Sequence, residues 1–168
     1  RLFTVVARVR PLSSHELSLG GALADLKAEE SSLHVVVPGN GGKARECCTP
    51  FDAVYSETAS QKDVFAGTVR GVVDNFIQGI SGTVIAYGPT GTGKTHTIVG
   101  PDGTTGVLPQ ALEHIAARVQ RSPLGTTHVV RSSAIEISGE EVLDLSTAEP
   151  RARLRVRHDE ARNVCVVG

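Results

Sequence analysis

Residues Gly88-Pro89-Thr90-Gly91-Thr92-Gly93-Lys94-Thr95 fill every fixed position of the pattern GxxxxGK[ST], and no other stretch constrains the chain as strongly. The pattern describes a loop folded around phosphate, so the expected ligand is a nucleoside triphosphate. Glycines at 88, 91 and 93 let successive backbone N–H groups converge on phosphate oxygens, where a Cβ would obstruct them. Lys94 would bring a point charge to the β- and γ-phosphates. Thr95 would offer a hydroxyl to Mg²⁺, and the helix starting there would aim its positive dipole end at the anion. A chain of this length meets the pattern by accident roughly once in a hundred cases. The neighbours agree with it. Residues 82–87 form an apolar, β-branched run that reads as a strand entering the loop, and residues 94–99 read as the helix leaving it. The competing reading is a glycine-rich turn without a ligand.

The 168 residues, 40% hydrophobic with a formal net charge of -1, suit one globular domain or part of one. No basic excess points to nucleic acid. No apolar run is long enough to span a bilayer, and the amino end lacks a signal-peptide pattern, so the expected setting is intracellular. Cys47, Cys48 and Cys165 lack metal-ligand spacing and are read as reduced thiols.

Strand and helix signals alternate along the chain. Residues 4–10 and 33–37 are β-branched runs stopped by Pro11 and Pro38. Residues 39–42, Gly-Asn-Gly-Gly, read as a turn with no helix behind it, hence a poor second phosphate site. The clearest helix runs from Ser60 to Gly79. Ser60 and Asp63 form a capping box, Val64, Phe65, Val69, Val72, Val73, Phe76 and Ile77 recur at helical spacing, and Gly79 suits a left-handed end. A second helix is expected from Pro109 to about Arg121, with Leu112, Ile115, Ala116 and Val119 inward. Residues 126–138 then read as strand, and 154–157 with 164–167 as a hairpin. Arg151, Arg153, Arg155 and Arg157 would share one face of that hairpin, as a solvated surface or as a contact for an acidic partner.

These segments, in order, resemble the kinesin motor domain. Residues 4–12, with Val9-Arg10-Pro11 at their core, resemble its opening strand. Phe51-Asp52-Ala53-Val54-Tyr55, then Ser60-Gln61 and Val64-Phe65, look like the approach to its first long helix. Residues 79–97 are similar to its phosphate-loop region almost position for position. Gly106-Val107-Leu108-Pro109, Ile135-Glu136-Ile137, residues 140–145 and residues 154–168 resemble its next segments. The resemblance implies an α/β fold of the P-loop NTPase type, three layers α/β/α around a mainly β central sheet, incomplete in this fragment. Residues 1–168 would form the amino-terminal part of one motor domain.

It also implies a site. Arg8, Arg10 and Pro11 lie where kinesins hold adenine and ribose, His96 where they close the other side of the base, and residues 88–95 where they hold phosphates and Mg²⁺, with Thr95 on the metal. Without the resemblance, Arg8 and Arg10 read as solvated strand arginines and His96 as a helix-surface histidine. The implied activity is ATP hydrolysis coupled to movement on microtubules, placing the protein in the cytoplasm on the cytoskeleton. The alternatives are a non-stepping microtubule or axonemal component that binds nucleotide, and an unrelated P-loop kinase. Membranes and nucleic acids are not expected partners, and oligomerisation in the family runs through a stalk outside this region.

No residue here reads as catalytic. Phosphoryl transfer also needs groups that orient water and sense the γ-phosphate. Kinesins carry these in two switch motifs, an Asn-x-x-Ser-Ser-Arg-Ser-His type and an Asp-Leu-Ala-Gly type, both beyond the matched region. The chain also departs from the family pattern: Ser138-Gly139 replaces Tyr-Asn, Pro89 replaces a usual glutamine, Gln110 replaces a common arginine, and residues 100–105 form a short connection.

Overall fold

The fold is taken from a computed structural model, which describes residues 3–19, 27–29, 31–37, 45–101, 104–123, 125–147, 153–158 and 164–167. The chain divides into two units, Arg1–Ser122 and Pro123–Gly168.

In the first unit, β1 (Val6–Arg8) pairs in parallel with β5 (Ala53–Tyr55), Val6 opposite Ala53 and Arg8 opposite Tyr55. Pro11 forbids a longer ladder, and the pairing closes with a bond from the Val9 N–H to the Tyr55 carbonyl at 2.8 Å. Between these strands come α1 (Ser14–Ser18), capped by a box of Ser13 and Glu16, and an antiparallel sheet of β2 (Lys27–Glu29), β3 (Ser32–Val37) and β4 (Arg45–Pro50). Residues 39–42 lie outside the described residues.

The long helical stretch begins as its sequence predicts. Ser60 accepts from the Asp63 N–H, and the Asp63 carboxylate accepts from the Ser60 N–H at 2.9 Å. It is not one regular helix: α2 (Gln61–Val64) passes through a π-helical turn (Phe65–Val69) into α3 (Arg70–Ile77). It ends in a Schellman motif, with Gly79 at φ +88°, its N–H on the Phe76 carbonyl, and the Ile80 N–H on the Asn75 carbonyl. The π turn widens one turn of the helix and so rotates α3 about the helix axis. Val64, Phe65, Val69 and Val73 are buried, whereas Phe76, expected inward, is 55% exposed.

After α4 (Lys94–Ile98) comes α5 (Val107–Gln120). It starts two residues before Pro109, which is tolerated because the first-turn N–H groups have no intrahelical partner. Its buried stripe is shifted accordingly: Val107, Ala111 and Ile115 pack on the core of Val64, Phe65, Val69 and Val73, with Tyr55, Ile77 and Ile98 around it. Leu112 and Ala116, expected inward, are exposed. Burying a valine such as Val107, 3% exposed, contributes about 1.5–3 kcal/mol.

The second unit is an antiparallel sheet in the order β6 (Ile135–Ser138), β7 (Glu141–Asp144), β8 (Arg153–His158), β9 (Val164–Val167). The expected hairpin of β8 and β9 is present, Arg155 opposite Val167. Arg153, Arg155 and Arg157 are exposed on β8, with Arg153 paired to Glu141 at 2.7 Å; Arg151 lies outside the described residues.

Two expected strands are not realised as strands. Residues 82–87 and 126–134 belong to no ladder among the described residues. β-branched composition favours a pleated surface, but only a neighbouring backbone makes one. Along 82–87 the apolar side chains stay open, with Ile85 80% and Tyr87 98% exposed. Among the described residues no helix is long and apolar enough to cross a membrane.

Candidate nucleotide-binding site

The loop 88–95 folds back on itself. Gly88, Gly91 and Gly93 have φ of +152°, +81° and +98°, and Gly93 is the left-handed residue on which α4 starts. A Cβ on Gly88 would lie 2.8 Å from the Thr92 hydroxyl oxygen, so the turn closes only around glycine. That hydroxyl donates to the Pro89 carbonyl at 2.8 Å. The Lys94 ammonium crosses the loop and donates to the carbonyls of Gly88 at 2.9 Å and Pro89 at 2.7 Å. Pro89, which brings no N–H of its own, thus serves as the acceptor that holds both Thr92 and Lys94. Thr95 and His96 come next on α4; His96 is exposed and Thr95 lies on the first turn.

Beside this loop lies a cavity of about 540 Å³. Arg8, Arg10 and Pro11 reach it from β1 and its exit, Thr92 and Gly93 from the loop, and His96 from α4. Lys94 and Thr95, with Gly88, Pro89, Thr90 and Gly91, line the loop itself rather than this cavity. The size falls within the roughly 300–1,000 Å³ usual for small-molecule sites.

Its two arginines do different work. The Arg8 guanidinium donates to Gln61 Oε1 at 2.7 Å and Thr97 Oγ1 at 3.0 Å, tying β1 to α2 and α4. Partial burial pushes its pKa down, yet a guanidinium stays charged. Arg10 pairs with Glu16 at 2.5 Å and donates to the Pro11 carbonyl at 3.1 Å. The hydrogen bond from Arg10, then those from the Ser13 N–H and hydroxyl, hold the Glu16 carboxyl down to about 2. Both arginines are therefore fixed in orientation by partners at the cavity rim.

Gln61 is the residue that sequence reading missed. Its Oε1 is committed to Arg8, which can only donate, so its Nε2 must be the atom facing His96. Nε2 donates to the His96 carbonyl at 2.5 Å and lies 3.3 Å from His96 Nδ1. An amide nitrogen cannot accept, so any bond between the two has Nδ1 as the acceptor. Gln110 extends the network, its Nε2 donating to the carbonyls of Thr105 at 2.9 Å and Gln61 at 3.2 Å. No spacing in the sequence signals Gln61. Glu16 had a signal in its Ser-x-x-Glu box, which marks the cap and not the partner Arg10.

The family model of the kinesin motor domain matches residues 8–168. The chain belongs to the kinesin motor-domain family. It is 39% identical to mouse kinesin-like protein KIF3C over 96% of this chain and 21% of that protein, and 34% identical to kinesin-like protein 3 of Schizosaccharomyces pombe over 98% of this chain and 29% of that one. A solved structure described as a fast kinesin superposes with a TM-score of 0.81 at 29% identity, covering 98% of this chain and 46% of the other. The chain thus spans about a fifth of the length of the KIF3C relatives and about half of the solved kinesin chain. Its fold is the P-loop NTPase type of the kinesin motor domain. That kinship sets aside the reading as an unrelated kinase.

Proposed function

We propose that residues 1–168 are the nucleotide-binding part of an ATP-hydrolysing microtubule motor of the kinesin family. The observation that carries the proposal is the meeting of the Gly88–Thr95 loop with the cavity bounded by Arg10, Pro11 and His96. A purine between the Pro11 ring and the His96 imidazole would bring its phosphates toward the loop, with Arg8 holding the frame through Gln61 and Thr97. Lys94, whose ammonium sits on the carbonyls of Gly88 and Pro89, would turn to the phosphates and exchange two neutral acceptors for charged ones, which are about twice as strong. The residues also fit magnesium. Thr95 stands on the first turn after the loop, and Mg²⁺, when bound to it, supplies charge that neutralises the phosphates.

On this reading the groups of this chain would bind and orient the nucleotide. A cytoskeletal location goes with the microtubule partner. The test is phosphate release by the full-length protein with and without microtubules, where stimulation is expected. Nucleotide binding with no stimulation would instead identify a static microtubule component.

A further inference from the structure

Away from the loop, β3 and β4 assemble a group of side chains that the nucleotide site does not use. In their antiparallel register His34 stands directly opposite Cys48, so the two share one face of the sheet. Glu46 and Ser32, two residues away along their strands, lie on that same face, and Cys47 lies on the other. The distances agree with the register. Cys48 Sγ is 3.5 Å from His34 Nε2, the Ser32 hydroxyl is 3.2 Å from the same nitrogen, and Glu46 Oε1 is 3.6 Å from His34 Nδ1. The carboxylate favours a proton on Nδ1, which leaves Nε2 as the acceptor that the Cys48 thiol shares with the Ser32 hydroxyl. Cys48 is exposed and Cys47 only partly so.

A nucleophile beside a base that is itself oriented by a third group is the arrangement that activates thiols. We propose that Cys48 is a thiol-exchange site, with His34 as its base and Glu46 as a positioning residue, and that its substrates are low-molecular-weight disulfides. His34 Nε2 takes the thiol proton as Sγ attacks one sulfur of the disulfide. The new S–S bond forms on Cys48, the reagent's S–S bond breaks, and its second sulfur leaves with the electron pair as a thiolate, which recovers the proton from the imidazolium. Cys48 is oxidised to a mixed disulfide while the reagent is reduced to a free thiol.

The test uses the full-length protein and oxidised glutathione, quenched with an alkylating agent and read by fragmentation mass spectrometry at each cysteine. Cys48 is expected to be thiolated about tenfold or more faster than Cys47 and Cys165. Equal rates at Cys47 and Cys48 overturn the proposal without any variant. His34→Gln should slow Cys48 about tenfold and leave Cys165 unchanged. The exposed Glu46→Gln, which leaves the base in place, should slow it less. An unchanged Cys48 rate in His34→Gln would show that the imidazole is only a neighbour.

Discussion

Removing Gln61 should expose how the cavity is held together. Its Oε1 accepts from Arg8 at 2.7 Å and its Nε2 donates to the His96 carbonyl at 2.5 Å. Hydrogen bonds to a charged group contribute about 1.5–3 kcal/mol and neutral ones about 0.5–1.5. Arg8 and Gln61 are half-buried, so both partners regain some water on truncation and the lower halves of those ranges apply. Gln61→Ala is therefore expected to cost about 2 kcal/mol. Arg8→Ala should cost a similar amount, since it also loses Thr97. The two share one bond, so the double variant should cost less than their sum by about 1.5 kcal/mol, whereas independent sites add within about 0.3–0.5 kcal/mol. Urea unfolding of the full-length wild type and three variants, measured by circular dichroism, reads this coupling. A coupling under about 0.5 kcal/mol would refute the network, because Gln61 would then not be what holds Arg8.

The same geometry sets three further outcomes. Gly88→Ala places a Cβ 2.8 Å from the Thr92 hydroxyl at a φ of +152°, and should weaken ATP binding at least about tenfold while leaving the helical core folded; unchanged affinity in an equilibrium titration would show that the loop adapts. Phe65→Ala empties a site 6% exposed that packs edge-on to His114 and under Arg70, and should cost about 3–5 kcal/mol in urea unfolding; a cost below about 1 kcal/mol would show that the helices do not pack around it. Glu16 is held near 2 by Arg10 and Ser13, against an ordinary 4.5, so its contribution is fully present above about pH 4.5 and is lost as pH falls through about 2. Its carboxyl resonance should titrate near 2 in the wild type and higher in Arg10→Ala; a midpoint near 4.5 in the wild type would show that the pair does not form in solution.

The sequence made the local features legible where local chemistry decides them. The Ser60 capping box, the Gly79 terminus and the glycine loop each need only a few adjacent residues, and all three are found. The fold class came from several ordered motifs together. The features that the sequence concealed depend on partners distant in the chain. The π turn rotates Phe76 out of the core although the spacing points it inward, and α5 begins at Val107 because burial there outweighs the cue from Pro109. Residues 82–87 have strand composition and no ladder among the described residues. At the site, the resemblance pointed to Pro11, Arg10 and His96, and all three line the cavity beside the loop. Gln61 was not legible, because its role comes from 53 positions of separation to one neighbour and 35 to the other.

Loop 88–95 is proposed to hold a nucleoside triphosphate through Lys94. Equilibrium titration of the full-length protein with ATP and Mg²⁺, wild type against Lys94→Ala, tests it most directly. Saturable binding by the wild type and a loss of about tenfold to a hundredfold in the variant are predicted from one charge-assisted contact to phosphate. Equal affinity in the two proteins would contradict the claim and move the nucleotide away from this loop.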